Sequence, residues 1–432
     1  MKSRKRAKSE CADSVPSRFR QKRSWRFCGS TTRIDGMVLL FGKKRKKKLG
    51  VYIHIPFCVK KCWYCDFYSV TSKNPGLYGR YIDALIAHMK QYKLAAGEYS
   101  VDSVYIGGGT PTVVPRDDML RLIRAVKSVF HVTDDVEFTM EANPATVSTE
   151  TLAEYFRAGV NRLSLGLQSA SDAELSLLGR IHTRADFEKS YAAARDAGFR
   201  NINVDLMFGT PKQTFYTWKH SLSYVVSLKP RPTHISLYNL KLYDDDPKDS
   251  GFRTIDDLKS TLPPEETEFI MYDYAVRYLS SMGFDQVEIS NFARRGYEPR
   301  HNLKYWRCEE YLGFGPGAHS YFDGIRFSYK KNVKNYIECN LNPECTDELI
   351  DECENITTRE RLGEYVMLHM RLAEGIDAEQ FYSTFGRSFE SLCGERLDEY
   401  LSGGFMRYNG RSYSFTTKGM FVSNYILSDI LE

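Results

Sequence analysis

Six short runs rich in β-branched and apolar residues alternate with amphipathic stretches, and this alternation limits the possible folds of the chain more than any other feature. The runs are VYIHI (51–55), SVYI (103–106), VEFTME (136–141), RLSLGL (162–167), INVDLM (202–207) and HISLY (234–238). Helical apolar periodicity fills 77–93, 117–130, 149–158, 184–197 and 214–227 between them. Parallel strands need crossovers of a dozen or more residues, usually helical, so the pattern predicts a parallel sheet. Six strands are too few for a complete eight-stranded barrel. The spacing alone leaves a doubly wound sheet and a partial barrel as alternatives.

Beyond these runs the segment 241–265 is charged, contains proline and reads as a loop or linker. A helical pattern starts near Glu266 and leads into VEISNFARRG (287–296), HNLKYW (301–306) and LGFGPGAHS (312–320), expected to return and close the barrel. A shift in composition over 340–357 marks a boundary. Helical patterns then cover 358–372 and 386–401, and an Asn409-Gly410 turn lies within a final hairpin. The expected units are therefore a basic extension (1–49), a barrel core (50–240), a segment completing it (241–345) and a C-terminal domain (346–432).

The formal charge of +5 hides a division. The first 50 residues hold 17 Lys/Arg against 3 Asp/Glu, which leaves 43 basic against 52 acidic residues in the rest. The body is mildly acidic, so no nucleic-acid role follows for it. The leader reads as a disordered extension. Its Arg- and Ser-rich composition also suits a transit peptide, although Glu10 and Asp13 weigh against one. A natural start at Met37 is a third reading. The run GKKRKKK (42–48) suits contact with anionic lipid or a solvated face equally. No run of 18 apolar residues occurs, so a membrane span is not expected.

Three of the ten cysteines are spaced C-x3-C-x2-C, at Cys58, Cys62 and Cys65, directly after the first strand. Three thiolates bind three irons of a [4Fe-4S] cluster and leave the fourth iron open to a substrate or cofactor. A structural zinc site is the alternative, but zinc wants four N/S ligands and no second C-x2-C or H-x3-H pair follows. The other cysteines are scattered, which predicts free thiols in a reducing, cytoplasmic compartment.

The stretch YIHIPFCVKKCWYCDFYS (52–69), followed by YIGGGTPT (105–112), resembles the radical S-adenosylmethionine (SAM) superfamily. Within it the chain is similar to the oxygen-independent coproporphyrinogen III oxidases and the related haem chaperones, the HemW branch. The oxidases carry a further cysteine two residues after the third; here Asp66 and Phe67 follow Cys65, which points to the HemW branch. NRLSLGLQS (161–169), LLGRIH (177–182) and INVDLMFGTP (202–211) extend the resemblance, which covers about residue 50 to the C-terminus. Thr210 departs from the leucine usual in the family. The resemblance implies a partial (β/α)6 barrel with an α-helical, winged-helix-like C-terminal domain.

It also implies roles. Cys58, Cys62 and Cys65 would hold the cluster. Tyr52, Tyr64, Gly108, Gly109, Thr110, Glu141, Gln168, Arg180 and Asp205 match SAM-contacting positions. Ordinary packing competes for the two tyrosines and an N-cap for Asp205. A glycine-rich turn after a strand lets backbone approach a ligand closely, and Arg180 suits a carboxylate. His301 and His319 are candidate haem contacts, with buried structural histidine as the alternative. His54, His182 and the Tyr305-Trp306 pair are weaker ones.

Three functions follow: a haem chaperone passing haem to an apoprotein, an oxidase decarboxylating coproporphyrinogen III, and an enzyme modifying haem. SAM cleavage would require an electron donor such as flavodoxin or ferredoxin. Whether the protein is an enzyme is left open. The HemW branch favours the chaperone.

Overall fold

The structure is a computed structural model of the chain and describes residues 46–72, 74–144, 146–242 and 251–432. The basic leader falls almost wholly outside the described residues. Six strands occur where the apolar runs predict them: β1 (Lys47–Ile55), β2 (Tyr99–Gly108), β3 (Val132–Ala142), β4 (Arg162–Gln168), β5 (Asn201–Phe208) and β6 (His234–Asn239). They pair in sequence order and in parallel. Crossovers run through α1 (Pro75–Gln91), α2 (Arg116–Val129), α3 (Thr149–Ala158), α4 (Arg184–Asp196) and α5 (Phe215–Ser227). This is the expected partial (β/α)6 barrel.

Local chemistry sets these boundaries. Ser148 accepts a hydrogen bond from the Thr151 amide to start α3, and Gly159, at φ 111°, ends it in a left-handed conformation. Thr183 and Asp186 form a reciprocal capping box on α4. β4 is buried along most of its length because helices and barrel interior cover its two faces. Ile53, Ile106, Met140, Leu163 and Val204 are fully buried in the resulting core.

The sheet does not close. After α6 (Glu265–Ser281), the strands β7 (Asp285–Gln286) and β8 (Asn291–Ala293) add antiparallel pairing beyond β6. HNLKYW forms α7 (Arg300–Trp306). LGFGPGAHS supplies β9 (Tyr311–Phe314), parallel to β1, and the start of β10 (His319–Phe322). β11 (Ile325–Tyr329), α8 (Val333–Leu341) and β12 (Ile350–Asn355) follow. The full order is β12-β11-β10-β9-β1-β2-β3-β4-β5-β6-β8-β7. The segment expected to complete the barrel thus widens an open sheet at both edges, beyond β6 and beyond β1.

Two further differences concern this region and the linker. A short helix, Ile255–Lys259, lies within the segment read as a loop. Cys339 and Cys345 are joined in a disulfide rather than free, because a turn after α8 folds residue 345 back, with Cα atoms 4.9 Å apart. The C-terminal unit contains α9 (Thr358–His369), further short helices and a small sheet of β13 (Ile376–Asp377), β14 (Met406–Tyr408) and β15 (Ser412–Phe415). The 386–401 pattern is split into two helices, Phe389–Cys393 and Arg396–Ser402, at Gly394. Among the described residues no helix is long and apolar enough to cross a membrane.

Candidate functional site

β1 ends at Ile55 and delivers the chain into the cysteine loop. Residues 57–58 pair in parallel with 70–71, which pins the base of that loop. The Trp63 indole N–H donates to the Leu177 carbonyl at 2.9 Å and holds the loop against the connection after β4. Tyr64 packs edge-on to Trp63, in a small cluster with Leu178, Met207 and Leu240. Cys58, Cys62 and Cys65 all open onto one cavity of about 430 Å3.

The glycine run braces this loop from the side. The Gly109 and Thr110 amides donate to the Ile55 and Phe57 carbonyls at 2.8 and 2.7 Å. A Cβ on Gly109 would lie 2.7 Å from the Phe57 carbonyl oxygen. Gly108 sits at φ 111°, and a Cβ there would collide with the His54 ring. The glycines are therefore required by the packing of two strand ends. Their amides are committed within the protein, since the Gly108 N–H also donates to Glu141, at 3.0 Å.

The ends of β2 to β5 supply the rest of the wall. Gly108, Gly109, Thr110, Glu141, Gln168, Arg180 and Asp205 line the same cavity as the three cysteines. Arg180 approaches the Cys62 sulfur at 3.7 Å and donates to Asn143 and to the Gly166 carbonyl at 2.9 and 3.1 Å. Thr110 Oγ1 lies 3.7 Å from the Cys58 sulfur and accepts from Asn143 at 2.8 Å. Burial pushes the Cys65 thiol up to about 11 and raises Cys58 as well. Such thiols stay protonated until a cation takes the proton's place.

Glu141 accepts from the Tyr105 hydroxyl at 2.7 Å. Burial pushes its carboxyl up to about 7, and the neighbouring Asp205 adds to the rise. Burial raises Asp205 too, against hydrogen bonds from Asn203, Ser236 and Ser164. Two raised carboxyls on one wall favour a cationic or hydroxyl-rich ligand, which would restore their charge.

A single zinc ion does not suit the three thiols. Tetrahedral Zn–S bonds of about 2.3 Å hold sulfurs roughly 3.8 Å apart. Among the described residues, the three loop sulfurs do not all lie within 4.8 Å of one another. The wider spacing of the loop thiols suits a polynuclear cluster.

Other expected residues lie elsewhere. Tyr52 does not line the cavity; its hydroxyl meets His54 Nδ1 at 2.9 Å. His301 is buried, and both ring nitrogens are engaged, with Ser103 at 3.0 Å and Tyr305 at 2.7 Å. His319 is exposed at the start of β10. His54 and His182 are buried and hydrogen-bonded to backbone carbonyls. Sequence reasoning missed Asn143, which bridges Arg180 and Thr110, and Tyr105, which anchors Glu141. The polar residue two places after Glu141 was the available signal for Asn143.

Known proteins are similar to this chain over the same regions. The family model described as the radical SAM superfamily matches residues 52–225, and that of the HemN C-terminal domain matches 356–422. The "Heme chaperone HemW" of Bacillus subtilis is 36% identical over 88% of this chain and 99% of its own length. That of Escherichia coli is 30% identical, over 88% and 97%. A mouse protein, "Radical S-adenosyl methionine domain-containing protein 1, mitochondrial", is 37% identical over 64% of this chain and 61% of its own. Among solved structures, coproporphyrinogen III oxidase (HemN) from E. coli superposes with a TM-score of 0.75. It covers 89% of this chain and 90% of that one at 21% identity, a likeness of fold.

Proposed function

The chain belongs to the HemW family of radical SAM proteins, and from that membership we propose that it is a haem chaperone, carrying haem as cargo for delivery to an apoprotein. The observation that carries the reading is the convergence of Cys58, Cys62 and Cys65 with Glu141, Arg180 and Asp205 on one cavity, in a chain that has Phe67 where the oxidases carry a fourth cysteine. Full-length similarity to proteins named haem chaperones supports it.

Cys58, Cys62 and Cys65 would hold a [4Fe-4S] cluster, with SAM in the adjoining cavity. Bound together, these groups supply a low-potential electron and a reducible sulfonium. The chain's own residues bind and orient. Glu141 and Asp205 present carboxylates to the cationic and hydroxyl groups of SAM, and Arg180 meets its carboxylate or the anionic cluster. Gly108, Gly109 and Thr110 fix the wall, Gln168 lines it, and Tyr64 offers an aromatic face. Tyr52, outside the cavity, acts through His54, whose ring packs against Gly108.

Haem-loaded protein, mixed with an apo-haemoprotein acceptor, should pass its haem and shift the Soret band to that of the acceptor. Retention of all haem under conditions where free haem is captured would refute delivery. Substituting any one of Cys58, Cys62 or Cys65 by alanine should abolish the cluster's absorption near 400 nm and its iron content. Retention of both would remove that cysteine from the ligand set.

A further inference from the structure

Beneath Glu141 and Asp205 the barrel interior continues as a polar column, with a buried cation at its centre. Residues two apart on a strand face the same side. Thr139 lies beside Arg162 in the sheet and, one layer nearer the cavity, Glu141 lies beside Ser164. In the same way Asn203 neighbours His234, and Asp205 neighbours Ser236. Hydrogen bonds among these side chains place them inside the barrel.

Arg162 is 2% exposed, does not line the cavity and forms no ion pair with the described residues. Its Nη1 donates to Thr139 Oγ1 at 3.3 Å, and its Nε–H has no partner among the described residues. Nη2 lies 3.3 Å from His234 Nδ1. That nitrogen faces Asn203 Oδ1, while the Asn203 amide nitrogen donates to Asp205 and Ser164 at 2.7 and 2.8 Å. His234 Nδ1 therefore carries the proton and cannot accept from Arg162. A buried guanidinium with so few acceptors is costly unless an anion lies near it.

Few anions are available. Glu137, one layer below, accepts from the Arg300 and His301 amides at the start of α7, each at 3.0 Å. Glu288, reached through Ser236 and Asn291, is bonded to Asn291 and to the Ser290 amide. Burial raises Tyr52, Tyr105, Tyr238 and Tyr305 and lowers His234 and His301, so all six are uncharged near neutral pH. Glu141 and Asp205 remain. Burial raises both carboxyls, and the Arg162 charge opposes that rise.

We propose that Arg162 is the buried counter-charge of the Glu141–Asp205 pair, holding it at one negative charge and one retained proton in the ligand-free protein. The inference rests on the reading that SAM occupies the cluster cavity. SAM carries a sulfonium and an ammonium against one carboxylate, a single net positive charge. That charge is matched when the retained proton leaves the pair for solvent. Arg162 touches no ligand and acts through the two carboxyls, which makes it a positioning residue.

SAM titrated calorimetrically into the cluster-loaded protein at pH 6, in two buffers of different ionisation enthalpy, counts the protons released. Wild type should release about one per SAM. Release of none, or of two, would overturn the proposal. Arg162→Gln keeps a donor for Thr139 but removes the charge. It should move the midpoint of the pH dependence of SAM affinity upward by about one unit or more. Arg162→Lys should return that midpoint towards the wild-type value. A merely structural arginine would change affinity alike at every pH, so an unmoved midpoint in Arg162→Gln with wild-type iron content would also overturn the proposal. Should neither variant load the cluster, the wild-type proton count decides. No SAM binding by wild type would overturn the SAM reading itself, and this inference with it.

Discussion

Glu141 is the residue at which burial and ligand chemistry meet most directly. Its carboxyl is raised to about 7 in the folded chain, first by burial and then by Asp205. A carboxyl raised above its unfolded value favours folding fully below about 4.5, and that contribution is lost as pH rises through about 7. In the ligand-free protein, Glu141→Gln should therefore flatten the fall in stability between pH 5 and 8, by up to about 3 kcal/mol. Denaturant midpoints of both forms at the two pH values measure this. Parallel pH dependence in wild type and variant would remove Glu141 as its source. SAM binding should draw the same carboxyl back into its ionised form and release protons near pH 6, read calorimetrically in two buffers of different ionisation enthalpy. The cysteines, Glu141 and Asp205 were legible because they sit in a motif or in the C-terminal halves of recognisable strands. Tyr105 and Asn143 were not, since their meaning depends on neighbours that only the folded sheet supplies.

At the scale of elements, the site is held by the meeting of β1, β2 and the cysteine loop. Gly109 marks a close backbone approach, with the Phe57 and Ile55 carbonyl oxygens 2.7 and 2.8 Å from where a Cβ would stand. Gly109→Ala should displace the loop, cost about 1–3 kcal/mol and lower the iron content. Gly97→Ala, with nothing within 4 Å of the added carbon, should be neutral. Equal iron content in the two variants would show that the loop tolerates movement of its brace. The six parallel strands were readable because both faces are buried, which makes each an apolar run between helical crossovers. The edge strands were not. β9 pairs with β1 across some 260 residues of chain, and β10 to β12 are short, partly exposed and polar. No periodicity distinguishes a strand that closes a barrel from one that extends its edge.

The whole molecule is a barrel sheet and a C-terminal unit that share a boundary. The Ile289 amide donates to the Arg371 carbonyl and Ala373 to Val287, each at 3.0 Å. Phe421 packs against Phe269 and Tyr272 of α6. Removal of 356–432 should therefore uncover apolar surface on α6 and yield aggregated protein by size-exclusion chromatography. A monodisperse truncated chain would show that the barrel stands alone. Residues 1–45, ahead of β1, should be dispensable for cluster and haem binding.

The most direct test of the account is anaerobic incubation of the cluster-loaded protein with coproporphyrinogen III, SAM and a low-potential reductant, with mass analysis of the porphyrin and a parallel haem titration. The account predicts stable haem binding and no loss of CO2 from the propionates. Stepwise loss of two CO2 units at catalytic rates would contradict it and make the protein an oxidase despite Phe67.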